Sequence, residues 1–137
     1  GKLFSAKGRM ASSNYGIDDQ GHIALYVEES DRSWCSSNAV NDHRAVTIEV
    51  SSDEKAPYRV TDAAFSSLIY LVADICKRNG ITKLRWHNEK ELIGCKDCSG
   101  VLLQNMTLHK WFKNNACPGK YLEERMFEIA AKVNALL

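Results

Sequence analysis

The chain has 137 residues, a length typical of one domain with one hydrophobic core. Apolar residues make up 45% of it and charged residues 26%, so the composition gives no support to a disordered, fibrous or membrane-spanning protein. Eighteen basic and seventeen acidic side chains leave a formal net charge of +1, which excludes a global field strong enough to hold nucleic acid or an anionic bilayer. Any partner must therefore be recognised by a local site.

The cysteines do not form the pattern of a secreted disulfide scaffold. There are five of them, an odd number, in a chain large enough to fold without disulfides. Cys95 and Cys98 have the spacing of half a zinc knuckle, but no second pair completes four ligands, so a surface thiol pair or a local disulfide is the simpler interpretation. The first residues also lack the apolar segment of a signal peptide, so this sequence does not encode export by that route.

The first half of the sequence predicts a short helix, a hairpin and one strong strand. Residues 3–10 have the pattern of an amphipathic helix. Ser13–Ile17 and His22–Val27 predict a β-hairpin joined by a glycine-containing turn. Residues 28–44 are polar and irregular, which indicates a long loop of the kind that often carries function. Residues 45–50 are apolar enough to predict a central strand buried on both faces.

The second half predicts helices that alternate with a strand. Thr61 can cap a helix whose apolar residues recur at helical spacing, and Gly80 closes that helix. Residues 81–86 predict a short strand parallel to the strand at 45–50, because a helix connects the two. Residues 107–112 predict one helical turn, and residues 118–137 predict the last helix. This order predicts an α/β fold with a mixed central sheet flanked by helices.

His109 and Cys117 are the residues best suited to bind a metal ion. They lie eight residues apart at the edges of predicted elements, and imidazole nitrogen and thiolate sulfur are good zinc donors. A catalytic zinc site needs three protein ligands and leaves the fourth position to water. Taken alone, the pair is a weak signal, because most such pairs have ordinary structural roles and Cys117 could equally be a small buried hydrophobe.

Glu49 stands in an otherwise apolar strand, where a carboxylate is costly unless it faces a polar cleft. In such a cleft its pKa could rise far enough for it to act as a general base; the alternative is a strand-end residue that faces solvent. Trp34, in the predicted loop, could stack on a sugar or a peptide, or belong to an ordinary interface. The remaining histidines have no ligand partner at a recognisable spacing: His22, His43 and His87.

Four motifs occur in order along the chain: ASSNYGI at residues 11–17, DRSWCSS at 31–37, NDHRAVTIE at 41–49, and NMTLH with ACPG between residues 105 and 119. Together they resemble the type 2 N-acetylmuramoyl-L-alanine amidases, especially the catalytic domains of phage endolysins and prophage autolysins. The resemblance runs from about Leu3 to the C-terminus. It implies one catalytic domain over residues 1–137 with the fold of the peptidoglycan recognition proteins.

The resemblance implies a zinc hydrolase that cuts the amide between the lactyl group of N-acetylmuramic acid and L-alanine in peptidoglycan. In that family two histidines and a cysteine hold zinc, and His109 and Cys117 match the second histidine and the cysteine. Glu49 matches the strand glutamate that assists the water. Tyr15 matches a position that lines the cleft, and Trp34 lies on a loop at its rim. Such an enzyme acts on the bacterial cell wall, outside the cell or after release from the host cytoplasm by phage lysis.

Two departures from the family pattern bear on activity. The family's first zinc histidine lies on a strand before the first helix, and no residue here matches it, so the domain is expected to be N-terminally incomplete and to hold two zinc ligands. The family commonly has lysine two residues before the cysteine, whereas Asn115 offers only an uncharged hydrogen-bond donor to the oxyanion. Both favour an alternative, a non-catalytic peptidoglycan-binding module. The vacated sheet edge also predicts a possible dimer through strand addition.

Overall fold

The computed structural model of the protein describes residues 13–31, 33 and 44–137. The predicted helix at residues 3–10, Trp34, and most of the predicted loop lie outside these residues. Within them, a small mixed sheet packs against helices, which confirms the predicted α/β fold. No helix in the described residues is both long and apolar enough to cross a membrane.

The sheet has three strands in the order β2-β1-β3. Strand β1 (Tyr15–Ile17) pairs antiparallel with β2 (Ile23–Leu25), which confirms the predicted hairpin. Strand β1 also pairs in parallel with β3 (Ile48–Val50). Gly16 is in register with both Ala24 and Glu49, so these three residues share one face of the sheet.

The prediction that residues 45–50 form a central strand buried on both faces is wrong for the described sheet. Strand β1 is central, and β3 is half-buried with a neighbour on one side only. In a parallel pair, alternate residues of a strand direct their backbone N–H and C=O groups toward the partner strand or away from it. Ile48 and Val50 direct these groups away from β1, along the outer edge of the sheet. An apolar sequence was sufficient to predict a strand there, but apolar character does not distinguish a central strand from one that borders a cavity.

Helix α1 (Asp62–Arg78) packs against β1. The hydroxyl of Thr61 accepts a hydrogen bond from the Ala64 N–H at 3.1 Å, as the predicted cap requires. Gly80 follows in the left-handed region with a φ of 69°, which glycine adopts without strain. The buried face of the helix supplies much of the core: Ala64, Leu68, Ile69, Leu71, Ala73, Ile75 and Cys76.

Residues 81–86 do not form the predicted strand. Their backbone instead bonds to side-chain amides: the Leu84 N–H donates to Asn134 Oδ1 at 2.7 Å, and the Arg85 N–H donates to Asn105 Oδ1 at 2.8 Å. Leu84 and Trp86 are nevertheless buried in the core. The apolar pattern therefore identified a buried segment correctly. Its backbone groups bond to side-chain amides instead of to a neighbouring strand, so the segment is not a β-strand.

The C-terminal segment forms two helices where one was predicted. Helix α2 (Lys120–Glu123) ends before Arg125, whose backbone leaves the helical region, and helix α3 (Met126–Asn134) follows and packs against α1. The Arg125 guanidinium donates to the Tyr121 carbonyl at 2.9 Å and lies 3.6 Å above the centre of the Tyr121 ring. These contacts satisfy a carbonyl at the end of α2, which stabilises the break.

The predicted turn at residues 107–112 is confirmed as a 3₁₀ turn over His109–Trp111. Trp111 stacks on Trp86, with ring centres 5.3 Å apart and planes 6° from parallel. This stack attaches the turn to the core. Cys95 and Cys98 lie in the preceding loop as exposed free thiols.

Candidate active site

Glu49 lies in the middle of β3 and lines both of the cavities described below. Its side chain is half-buried, and burial raises the pKa of its carboxyl. A carboxylate in this setting accepts a proton more readily than an exposed one, which is what a general base at neutral pH requires. Of the two interpretations from sequence, the structure favours a partly buried cleft position over a solvent-facing strand end.

A buried polar cluster fixes the start of β3. The Asn14 side-chain oxygen accepts hydrogen bonds from the Thr47 N–H at 3.0 Å and the Thr47 hydroxyl at 3.1 Å. The Asn14 amide donates to the carbonyls of Val27 and Glu28, and Ser33 Oγ lies 2.7 Å from Thr47 Oγ1. Because Thr47 is two residues before Glu49, this cluster holds the glutamate's strand against β1 and the following loop.

His109 begins the 3₁₀ turn, and its Nε2 atom is buried. The backbone N–H of the next residue, Lys110, donates to the Cys117 carbonyl at 2.9 Å. This hydrogen bond closes the segment between the two predicted zinc ligands. His109 and Cys117 consequently line the same cavity.

The Cys117 thiol is half-buried beside the Glu49 carboxylate. Burial, and then the negative charge of Glu49, raise the pKa of the thiol to about 11. The thiol is therefore protonated at neutral pH unless a cation stabilises the thiolate. The Asn115 side-chain oxygen accepts a hydrogen bond from the Cys117 N–H at 3.1 Å, which orients the backbone at the cysteine.

The donors fit a zinc site in chemistry, although not in number. An imidazole and a thiol face one cavity next to a carboxylate, and these are the groups that zinc prefers. Within residues 13–31, 33 and 44–137, no group of three His, Cys, Asp or Glu side chains is arranged to hold a metal ion. His109 and Cys117 could supply two of the three protein ligands that a catalytic zinc requires.

Two cavities meet at these residues. The larger, about 420 Å³, runs along the outer edge of β3 between α1 and residues 105–109, and contains Glu49, His109 and Cys117. The smaller, about 260 Å³, shares six lining residues with it: Ile48, Glu49, Val50, Cys117, Pro118 and Leu122. Its other lining residues are Ser52, Tyr58, Ala116 and Gly119.

Of the other predicted site residues, Asn115 contacts Cys117, Tyr15 lies apart from this cluster, and Trp34 lies outside the described residues. Tyr15 is next to Gly16 in β1, so its side chain points to the opposite face from Glu49. Its hydroxyl donates to a Glu29 carboxylate oxygen at 2.8 Å and accepts from Arg78 at 3.3 Å, and Arg78 also contacts Glu29. Tyr15 lines neither cavity. Asn115 is exposed, and Trp34 lies outside the described residues.

Two tyrosines near Glu49 were not identified from sequence. The Tyr26 ring lies across Gly16 on the face that carries Glu49, so close that a Cβ at Gly16 would be 2.4 Å from Tyr26 Cε2. Tyr58 lines the smaller cavity and has a φ of 61°, which is unusual for a large residue. Gly16 was the only local signal for the contact with Tyr26. Nothing in the sequence pattern indicated that Tyr58 lines a cavity.

Comparison with known proteins gives one match. A family model described as N-acetylmuramoyl-L-alanine amidase matches residues 3–120. The matched range includes Glu49, His109 and Cys117. No curated protein and no solved structure matches the chain.

Proposed function

The chain belongs to the N-acetylmuramoyl-L-alanine amidase family, and we propose that it is a zinc-dependent member that hydrolyses the amide between N-acetylmuramic acid and L-alanine. Enzymes of this family act on peptidoglycan, so the substrate is the cell-wall polymer. The observation that carries the zinc proposal is the convergence of Glu49, His109 and Cys117 on one cavity.

His109 and Cys117 would hold the zinc ion through an imidazole nitrogen and a thiolate. When bound, zinc supplies a Lewis acid that polarises the scissile carbonyl and makes a water molecule more acidic. The hydrogen bond from Lys110 N–H to the Cys117 carbonyl supports this pairing, because it limits how far the two ligands can separate.

Glu49 would take a proton from the attacking water and return it to the leaving nitrogen, so that the products are a lactyl carboxylate and a free amine. Burial raises the pKa of its carboxyl, which supports both transfers because it makes the carboxylate a stronger base than an exposed glutamate. The side-chain oxygen of Asn115 accepts a hydrogen bond from the Cys117 N–H. The side-chain N–H groups of Asn115 would then donate hydrogen bonds to the oxyanion.

Turbidity of purified cell walls tests this function. Loss of turbidity with zinc, accompanied by new alanine amino termini, is the expected result, and chelator should stop it. Glu49→Gln should lack the activity, whereas Glu54→Gln, at an exposed position outside both cavities, should retain it. Intact walls in the presence of zinc-loaded protein would contradict the proposal.

Two observations favour the second candidate, a peptidoglycan-binding module without catalysis. Asn115 stands where a lysine is expected, and the described residues contain no group of three metal ligands. The discriminating experiment is muropeptide binding with chelator present. Binding that is unaffected by chelator, in the absence of any hydrolysis with zinc, would support the module over the enzyme.

We also propose a site of action and an oligomeric state. The protein would work as a lytic enzyme on the wall, outside the cell or after release from the host cytoplasm. Two copies would associate through the outer edge of β3, where Ile48 and Val50 present backbone groups; because the larger cavity runs along this edge, the associated form would be inactive and the monomer would be the lytic form. Light scattering should show a mass that rises with concentration, and a constant monomer mass would exclude this association.

A further inference from the structure

The buried cluster at the start of β3 contains polar groups that the proposed mechanism does not use. Asn14 is 1% exposed, Ser33 has no exposed surface, and Thr47 is buried beside them. We propose that Thr47, held by Asn14, is a positioning residue that sets the register of β3 on β1 and so places Glu49 at the candidate site. The inference rests on the proposed function for the role of Glu49, whereas the register itself can be tested without it.

The hydrogen bonds of the cluster converge on the Thr47 hydroxyl. This hydroxyl donates its single proton to the Asn14 side-chain oxygen at 3.1 Å and accepts a hydrogen bond from the Asn14 N–H at 3.1 Å. The Ser33 hydroxyl, 2.7 Å away, must therefore be the donor of the third hydrogen bond. A residue without a hydroxyl in the place of Thr47 would leave two buried donors without an acceptor.

The apolar pattern around β3 does not by itself fix the register. Ile48 and Val50 lie opposite two residues of β1, and both pack against the core. A shift of two residues would keep every side chain on its present face and bring Val46 and Ile48 to the same places. Because valine and isoleucine are both apolar and β-branched, the two registers would place similar side chains against β1. The hydrophobic pattern therefore does not exclude the shifted register.

The cluster distinguishes the two registers because Ala45 has no hydroxyl. In the shifted register Ala45 would take the place of Thr47 beside Asn14. The donors of Asn14 and Ser33 would then lose their acceptor, and both are shielded from water. A single buried polar residue sets the register of a coiled coil in the same way, at a cost in stability.

The register decides where the Glu49 carboxylate lies. In the observed register Glu49 is opposite Gly16. It there lines the same cavity as His109 and Cys117. Two residues of a parallel strand span about 6.6 Å, so the shifted register would move the carboxylate by this distance from its place beside Cys117. Chains in the shifted register would then be folded but inactive.

Thr47→Val removes the hydroxyl with little change in shape and tests the inference directly. Neither register then offers the acceptor, so the two should have similar free energies and about half of the chains should occupy the shifted one. NMR of the metal-free protein in chelator should show one set of amide signals for the natural chain, with a contact between Tyr15 and Ile48. The variant should show a second set, with a contact between Tyr15 and Val46.

Kinetics on a soluble muramoyl peptide with zinc supply a readout that a loss of stability alone would not give. Only chains in the observed register should work, so the kcat of Thr47→Val should fall about twofold, by the share of the second set of signals, while KM stays unchanged. Thr47→Ser keeps the hydroxyl and should retain one register and the natural kcat. Thr82→Val is the control, because Thr82 is exposed and lines neither cavity.

The outcomes distinguish this inference from the proposed function. A folded Thr47→Val variant with one set of signals would overturn the role in register, and a second set with an unchanged kcat would overturn the role in positioning Glu49. A natural chain that cuts no muramoyl peptide, but in which Thr47→Val produces the second register, would refute the hydrolase and leave the role in register standing.

Circular dichroism of each variant confirms that the comparison is between folded proteins. Should Thr47→Val fail to fold, Ser33→Ala takes its place with the same readouts, because it removes one of the two donors that the shifted register would leave without an acceptor. A smaller second set of signals is then expected, and a single set would again contradict the inference.

Discussion

At the scale of single residues, Glu49 is a carboxylate in a partly buried environment at the candidate site. It is half-buried on β3, it borders both cavities, and its negative charge contributes to the raised pKa of Cys117. A protein retains a carboxylate in such a place at a cost in stability. Its activity and its stability should therefore respond in opposite directions when the charge is removed.

Glu49→Gln should lower kcat by about 10²–10⁴-fold, the usual contribution of a general acid–base, with little change in substrate binding. The working form is the carboxylate, so activity should fall as the pH falls through the pKa of Glu49. Burial raises the pKa of Glu49 in the metal-free chain, whereas the charge of a bound zinc ion would lower it, so the acid limb should lie below the pKa of Glu49 in the metal-free chain. Rate measurements on a soluble muramoyl peptide across pH would check this. An acid limb that persists in the residual activity of the variant would contradict the assignment.

The same substitution should stabilise the metal-free fold at neutral pH. A carboxyl whose pKa is raised on folding contributes stability below its unfolded pKa and loses that contribution as the pH rises through the folded value. The natural chain should therefore unfold at a lower temperature than Glu49→Gln at neutral pH, and the difference should shrink at about pH 4. Thermal unfolding with chelator measures this difference at neutral pH and at about pH 4. A Glu49→Gln variant that is less stable than the natural chain at neutral pH would contradict the link between the raised pKa and stability.

At the scale of elements, the segment before α2 is shaped by Gly119. Its backbone, with φ 88° and ψ 157°, lies in a region that only glycine occupies readily, and Tyr58 occupies the space where a side chain would be. This contact attaches the loop carrying Tyr58 to the segment carrying Cys117. Packing around Cys117 should thus depend on the absence of a side chain at residue 119.

Gly119→Ala should destabilise the fold by about 2–4 kcal/mol, because backbone strain and the collision with Tyr58 add. Gly80→Ala is the matched control: Gly80 also has a positive φ, but nothing lies within 4 Å of its missing Cβ. That variant should cost only about 1–2 kcal/mol. Urea unfolding of both variants gives the comparison. Equal losses would show that neither the contact with Tyr58 nor the backbone conformation of Gly119 adds to the cost at that position.

The elements that the sequence predicted well are those fixed by local signals. Helix α1 has a cap, an apolar face and a closing glycine within one segment, and the hairpin has a glycine-containing turn. One error arose where distant residues decide, and the other from a contact between residues only four apart. Residues 81–86 lost their strand to the amides of Asn105 and Asn134, and the last helix broke where Arg125 bonds back to Tyr121.

At the scale of the whole molecule, the candidate site joins segments that are far apart in sequence. The sequence marks Glu49, His109 and Cys117 as candidate site residues because each side chain has a recognisable reactive group and matches a family motif. Tyr26 and Tyr58 could not, since their roles depend on Gly16 and Gly119, which approach them only in the folded chain. Cavity walls are a product of tertiary packing, whereas reactive groups are visible in the sequence itself.

We propose that His109 and Cys117 hold a zinc ion that allows Glu49 to work on the muramoyl amide. Mass spectrometry of a muramoyl-L-alanyl peptide incubated with the protein tests it most directly. We expect cleavage to a lactyl acid and a peptide with a free alanine amine, which chelator should abolish, zinc should restore, and Cys117→Ala should lack. Cleavage that survives the chelator or the loss of Cys117, or no cleavage by zinc-loaded protein, would contradict it.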